Sequence, residues 1–293
     1  MSASVDSRRR CILRGAGAIA ALGVAPVGRA LAAAPQSANS APQIGLAYEP
    51  QSRSLLKSDG AAVQAQEGGG WQALALGVRP GRGRVSAVSV AAGGKGIVYV
   101  AGPGLGVLRS EAGMRRFSAR NKGLPSAAVI AVAAHADRPD TVYAYIAGRG
   151  IFRSEDGGLR WRLMDAGPRG GIVQLVHSNL PGSMKSGWLF AAGPQGVSRA
   201  MDCFCGWRAA GGLERPVNAV SYEPLQPTNV HAATDTGLLS SSDGGQSWTP
   251  ASAPPTATKA LAAGPAGVLY AASAHGDVFR RTSATAAWEP TGA

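Results

Sequence analysis

Residues 154–161 read SEDGGLRW and residues 241–248 read SSDGGQSW; in both, a serine, an aspartate, a glycine and a tryptophan stand in the same relative places. Each residue type has a local task in reversing a chain. An aspartate inside a tight turn accepts backbone amides of that turn. Glycine takes the positive φ that a Cβ disfavours, and tryptophan covers the turn with a large apolar plate. The octapeptide therefore predicts a hairpin between two strands, with the tryptophan opening the second. Its aspartates read as fasteners, not as catalytic acids.

Working outward, the closing aromatic recurs. Trp71, Phe117, Trp161, Trp207, Trp248 and Trp288 are separated by 46, 44, 46, 41 and 40 residues, the length of a four-stranded propeller blade. Similar phrases precede each aromatic, as in IVYVAGPGLGVLRS (97–110) and VYAYIAGRGIFRS (142–154). Short alternating stretches such as VSAVSV (85–90), AVIAVAA (128–134) and VNAVSY (217–222) predict innermost strands, and no helical period is found beyond residue 40. Even strand lengths, glycine turns and missing helices predict an all-β propeller of about six four-stranded blades. The first copy is read as starting at its second strand, IGLAYEP (44–50), so one blade is expected to be incomplete or to borrow a strand. No seventh copy is found.

The pattern S-x-D-x-G-x-x-W resembles the Asp-box of BNR-repeat β-propellers. It is intact at Ser154, Asp156, Gly158 and Trp161 and at Ser241, Asp243, Gly245 and Trp248. Degenerate copies keep the register at Ser110, Ala112, Met114 and Phe117, at Ala200, Asp202, Phe204 and Trp207, and at Arg281, Ser283, Thr285 and Trp288. The first copy is read as Ser58 and Trp71 with six additional residues between them. The resemblance covers about residues 43–293 and implies Asp-box hairpins at the blade periphery, away from the binding face. The full units, with GLP (123–125) leading into an inner strand and GRGIFRSEDGGLRW (148–161) further on, are similar to the photosystem II assembly-factor (Ycf48/Hcf136-like) branch. That likeness implies a non-enzymatic helper that binds membrane-protein intermediates through a basic face. The alternative is a sialidase-like glycoside hydrolase or a carbohydrate-binding protein, which share these boxes.

The N-terminus carries a separate message. Arg9 and Arg10, the Ala/Gly-rich run Gly15–Gly28 and the small-x-small site Ala30-Leu31-Ala32 read as a signal peptide of twin-arginine type over residues 1–32, with a linker over 33–42. The expectation is a periplasmic protein, soluble after cleavage and monomeric. The chain is formally +12 at pH 7, and without residues 1–32 it keeps 24 basic against 16 acidic residues, a formal +8. No basic stripe with interleaved aromatics is present, so nucleic acid is not expected. An acidic protein surface, a membrane-protein complex or an anionic lipid surface fits the charge better. Cys203 and Cys205 form either a disulfide or two small residues in a turn, and two thiolates alone fall short of a metal site. Neither a metal nor a cofactor is expected.

Two columns and one rim complete the reading. Tyr99, Tyr145, Phe190, His231 and Tyr270 are assigned one packing position, which makes His231 a packed histidine. Arg109, Arg153, Arg199 and Arg280 form a second column suited to inter-blade hydrogen bonding. Propeller topology sends the outer-to-inner loops and the second-to-third hairpins to one face. Arg79, Arg82, Arg84, Arg120, Lys122, Arg149, Arg169 and Arg215 are therefore expected on a single basic rim, where arginine's planar fork pairs with carboxylates or phosphates. No catalytic residue is assigned. For the hydrolase alternative, Asp235 and Asp277, in equivalent loops of neighbouring blades, are the carboxylate pair to test.

Overall fold

The computed structural model describes residues 43–79, 81, 83–114, 116–184 and 186–291. The signal peptide and the linker read from the sequence, together residues 1–42, lie outside the described residues, as does Arg82.

Six antiparallel sheets of four consecutive strands make a six-bladed β-propeller. The blades are β1 (Leu46–Glu49) to β4 (Gly70–Ala73) through β2 (Ser54–Ser58) and β3 (Val63–Glu67); β5 (Ala87–Val90), β6 (Val98–Gly102), β7 (Gly106–Ser110) and β8 (Phe117–Ala119); and β9 (Val129–Ala134), β10 (Val142–Ile146), β11 (Gly150–Ser154) and β12 (Arg162–Asp165). They continue with β13 (Gln174–Ser178), β14 (Trp188–Gly193), β15 (Gly196–Met201) and β16 (Arg208–Ala209); β17 (Val217–Glu223), β18 (Gln226–Thr234), β19 (Gly237–Ser241) and β20 (Thr249–Ala251); and β21 (Thr258–Ala263), β22 (Leu269–Ser273), β23 (Val278–Arg281) and β24 (Glu289–Pro290). No described helix is long and apolar enough to cross a membrane.

The innermost strands β1, β5, β9, β13, β17 and β21 pack in sequence around the axis, and β1 meets β21 to close the ring. The first blade is therefore complete, which corrects the expectation of a missing or borrowed strand. IGLAYEP forms the innermost strand β1, because Ala47 pairs with Leu56 of β2 and no strand lies inside it. Ser58 accordingly ends a second strand, not a third, and its hydroxyl accepts the Gly45 amide at 2.8 Å. It is no counterpart of Ser154. The turn between β3 and β4 is the pair Gly68-Gly69, both at positive φ, a hairpin that requires no capping serine or aspartate.

Burial follows position in the blade. The second strand VYAYI and third strand GIFRS of blade 3 are buried along their whole length, because neighbouring blades cover both faces. The outer strands β8, β16 and β20 keep most of their surface. Between blades 2 and 3, Tyr99, Val107, Val142, Phe152 and Trp161 form one apolar cluster. Each such side chain taken fully out of water contributes roughly 1.5–3 kcal/mol. The seams are thus the core, divided into sectors, and the loops above and below them are free to diverge.

Candidate functional site

Three constellations merit a functional reading: the rim at which the innermost strands begin, the hairpins at the opposite face, and a buried polar cluster between blades 3 and 4.

At the first rim, outer-to-inner loops sit against second-to-third hairpins. Arg84 donates its amide to Pro103 O at 3.0 Å, and Gly104 donates to Ala127 O at 2.9 Å. A Cβ on Gly170 would strike the Gln195 side chain at 2.7 Å, so that loop and hairpin lie in contact. Arg79, Arg84, Lys122, Arg149, Arg169 and Arg215 are exposed on these loops. Among the described residues none of the six has a carboxylate within ion-pair distance. Arg120 departs from the expected rim. It is only half-exposed, its Nε is buried without a hydrogen-bond partner, and its Cβ lies where a side chain on Gly158 would go, 2.8 Å away. The following blade's hairpin draws it into the seam.

Two aspartates of this rim are engaged individually. Asp235 accepts Lys259 Nζ at 2.6 Å and Asn218 Nδ2 at 2.9 Å, and these hydrogen bonds, that of Lys259 first, hold its carboxyl below the usual range. A general acid requires the opposite shift. Asp277 accepts the Ser273 hydroxyl at 2.9 Å. The two carboxylates thus serve separate local partners.

The opposite face carries the octapeptides. Ser154 Oγ donates to Asp156 Oδ1 and accepts the Gly158 amide, both at 2.8 Å, while Asp156 Oδ1 also accepts the Arg160 amide at 2.9 Å. Ser241, Asp243, Gly245 and Ser247 repeat the arrangement, with Ser241 Oγ to Asp243 Oδ1 at 2.7 Å and the Gly245 amide to Ser241 Oγ at 2.8 Å. The neighbouring hydroxyls lower both carboxyls, Ser154 leading for Asp156 and Ser247, then Ser241, for Asp243. In both hairpins the serine hydroxyl and the Oδ1 of the aspartate are committed to the turn itself.

The columns are visible as strand partners. Tyr99 faces Arg109, Phe190 faces Arg199, His231 faces Ser240 and Tyr270 faces Arg280. In blade 3 the partner of Arg153 is Tyr143, not Tyr145, which corrects one member by two residues. Arg109 reaches Asp140 of the next blade at 3.4 Å and Arg199 Nη1 donates to Gly244 O of the next blade at 2.7 Å. Arg153 and Arg280 pair within their own blades, with Glu155 at 3.2 Å and Glu289 at 3.5 Å. His231 is buried, with Ser240 Oγ 2.8 Å from Nδ1 and Glu223 Oε1 3.1 Å from Nε2.

The buried cluster was not anticipated from the sequence. His135 follows β9 and His177 lies in the adjacent innermost strand β13; their rings stack with centroids 3.8 Å apart, and Tyr143 stacks on His177 at 5.5 Å. Asp202 completes a group whose potential ligand atoms lie within 4.8 Å of one another. The hydrogen bonds decide what this group can be. His135 Nδ1 accepts the Asp137 and Arg138 amides at 3.0 and 3.1 Å, and His177 Nδ1 accepts the Ala136 amide at 3.1 Å. Both rings therefore carry their proton on Nε2. A cation on those nitrogens would demand imidazolates, so the residues do not fit a metal centre. Ser186 Oγ donates to Asp202 Oδ2 at 2.5 Å and accepts from His135 Nε2 at 2.8 Å. The proton of Ser186 points to the carboxylate, the reverse of what an activated nucleophile requires. Burial lowers the pKa of both histidines, that of His177 to about 3, so both are neutral at pH 7. A sequence signal did exist. Two of the four histidines of the chain stand at the ends of neighbouring innermost strands, opposite the one octapeptide copy that retains aspartate but has lost its serine.

Close to the axis, the innermost strands enclose a cavity of about 490 Å3. Its wall includes Leu46, Val88, Val132, Leu175, Val220 and Leu261, one from each blade. Gln43 Nε2 donates to Val173 O at 2.6 Å, linking the residues before β1 to those before β13.

Comparison with known proteins places these features in the propeller class. No family model and no curated protein sequence matches the chain. Among solved structures, it is similar to a chain of the nidogen/laminin complex, at 11% identity and TM-score 0.61, covering 81% of this chain and 92% of that one. It is similar to YCF48 bound to D1 peptide, at 12% identity and TM-score 0.51, with 72% and 67% covered. It is also similar to the GH74 xyloglucanase from Xanthomonas campestris, at 19% identity and TM-score 0.52, covering 80% of this chain and 36% of the enzyme. The chain thus spans about a third of the length of such GH74 enzymes. At these identities the likeness is one of fold, shared by binding proteins and by enzymes.

Proposed function

We propose that this chain is a non-enzymatic binding propeller of the BNR/Asp-box type, exported to the periplasm, that assists the assembly or stability of a membrane or periplasmic protein complex. One observation carries the reading: six exposed cations lie on the loops of one rim, from the connection between blades 1 and 2 round to that between blades 4 and 5, and among the described residues none is ion-paired. Unpaired arginines on adjoining loops favour carboxylates or phosphates presented by an acidic protein surface or an anionic lipid headgroup layer. The other face carries exposed cations as well, Lys95, Arg116, Arg138 and Arg160 among them, while the side chains of Ser154 and Asp156 and of Ser241 and Asp243 there are held within their own turns. That a propeller of similar fold, YCF48, binds a peptide supports a protein partner.

The test is charge reversal on the rim. Arg149→Glu with Arg169→Glu should abolish capture of the partner from an envelope extract and should flatten the salt dependence of whatever binding remains. Retention of every partner by the double variant would refute the reading. Hydrolysis of a panel of fluorogenic glycosides, abolished by Asp235→Asn, would replace it with the hydrolase alternative.

A further inference from the structure

We propose that the Cys203–Cys205 bridge is a reversible exchange site for low-molecular-weight thiols, and that its closure holds the blade 4 hairpin and the buried Ser186–Asp202 contact in place.

The argument starts from the fifth position of the octapeptide. Gly158 and Gly245 occupy it with φ of 87° and 80°, and each donates its amide to the hydroxyl of the leading serine at 2.8 Å. In blade 4 the leading residue is Ala200 and the fifth is Phe204, still left-handed with φ 57°. Its amide reaches only Met201 O of its own turn, at 2.9 Å. A bulky residue persists in that region only where its surroundings impose it. Met114 provides the internal comparison, at the same position of blade 2 with φ 58°. There the turn is tied by backbone to a neighbouring hairpin, Gly113 N to Lys95 O at 3.1 Å and Met114 N to Gly96 O at 3.2 Å. The blade 4 turn has one such backbone tie, Asp202 N to Gly187 O at 3.1 Å, and Phe204 packs on Tyr143 with centroids 6.0 Å apart; what blade 4 adds is a covalent ring, since Cys203 and Cys205 flank Phe204 and are bridged with Cα atoms 5.5 Å apart.

A bridge spanning one residue closes too small a loop to restrict the unfolded chain much. Its effect is local. Cys205 is exposed and Cys203 half-buried, so a thiolate such as that of glutathione can attack Cys205 Sγ. The S–S bond breaks, Cys203 leaves as thiolate and takes a proton from water, and a mixed disulfide forms on Cys205. A second thiol attacks the glutathione sulfur of that mixed disulfide, releasing Cys205 as thiol and yielding oxidised glutathione. Two thiols are oxidised and one bridge is reduced. With the ring open, Phe204 relaxes from the left-handed region. Asp202, adjacent to Cys203, then withdraws its carboxylate from the Ser186 amide and hydroxyl it now accepts at 3.3 and 2.5 Å.

The experiment uses the full chain in graded reduced and oxidised glutathione. Maleimide trapping and peptide mapping of residues 201–207 read the bridge, and hydrogen exchange reads the Ser186 and Asp202 amides. The bridge should open and reclose across the series. Opening should speed exchange of both amides about tenfold, the scale of an ordinary left-handed penalty. The reduced Phe204→Gly chain should keep its protection, because glycine needs no clamp. A Cys203→Ser, Cys205→Ser chain should match the reduced wild type without any thiol present. The proposal fails if the bridge stays closed in fully reduced glutathione, if opening leaves exchange unchanged, if Phe204→Gly loses as much protection as wild type, or if the double serine chain is as protected as the oxidised protein.

Discussion

The indole N–H of Trp161 donates to the carbonyl of Arg120, on the neighbouring blade, at 2.7 Å. The same seam bond recurs from Trp248 to Ala210 O at 2.8 Å and from Trp288 to Ser252 O at 2.9 Å, while Trp207 reaches Asp165 Oδ1 at 2.7 Å. The repeated aromatic is therefore a stitch between blades as well as a cover for its own hairpin. Trp161→Phe keeps the plate and removes the N–H, and should cost about 1 kcal/mol in urea denaturation. Trp161→Ala also removes a buried ring and should cost about 3–5 kcal/mol. Equal losses would show that the seam bond, not the plate, dominates.

Gly158 and Gly245 occupy equivalent positions but differ in what a methyl group would meet. Both are left-handed, so alanine costs about 1–2 kcal/mol at either. At Gly158 the new Cβ would lie 2.8 Å from Arg120 Cβ, an atom fixed by its backbone, whereas at Gly245 the nearest atom is Trp248 Cζ2 at 3.3 Å. Gly158→Ala should therefore lower the melting temperature more than Gly245→Ala. The reverse order would mean that the seam between blades 2 and 3 yields more easily than the packing implies.

The fold was legible because each blade repeats one solution and the repeat is long enough to count. Trp161, Trp207, Trp248 and Trp288 marked the seams, and strand partners such as Tyr99 and Arg109 marked the register. Misreading began where a local pattern had two meanings. IGLAYEP alternates equally well as a first or a second strand, and only the ring fixes which it is. Tyr143 and Tyr145 lie two apart and so share a face of β10, leaving the column choice to the β10–β11 register, which sets Tyr143 and not Tyr145 opposite Arg153. The His135, His177, Ser186 and Asp202 cluster was missed for another reason: its members come from separate loops and a strand of two blades, so no local pattern contains more than one of them and only alignment of the repeats brings the two histidines and Asp202 into relation.

Ser186 tests whether that cluster is a connected network. Its hydroxyl lies between His135 Nε2 and Asp202 Oδ2, so Ser186→Ala leaves a buried donor and a buried carboxylate without their shared partner. A loss of about 1–3 kcal/mol is expected. Ser186→Thr, which keeps the hydroxyl, should recover part of it if the loss is one of hydrogen bonding and not of volume. Denaturant unfolding of the two variants side by side decides.

His177 supplies the pH dependence. Burial, with His135 and Arg138 adding repulsion, lowers its pKa from 6.5 to about 3. The other groups around it are Tyr143, stacked on its ring, and His135, itself shifted down chiefly by burial and drawn up by Asp202 and Asp137. The folded state thus binds the His177 proton more weakly than the unfolded chain. Stability from this group is complete above pH 6.5 and is lost as pH falls from there toward 3, with a limiting slope of about 1.4 kcal/mol per pH unit. His177→Gln can still accept the Ala136 amide but has nothing to titrate. Between pH 6.5 and 5, above the range where most carboxylates protonate, wild type should lose stability more steeply than the variant by roughly that slope. Parallel curves would mean that water reaches the ring in the folded protein and that the stacked pair is less dry than its packing between blades 3 and 4 implies.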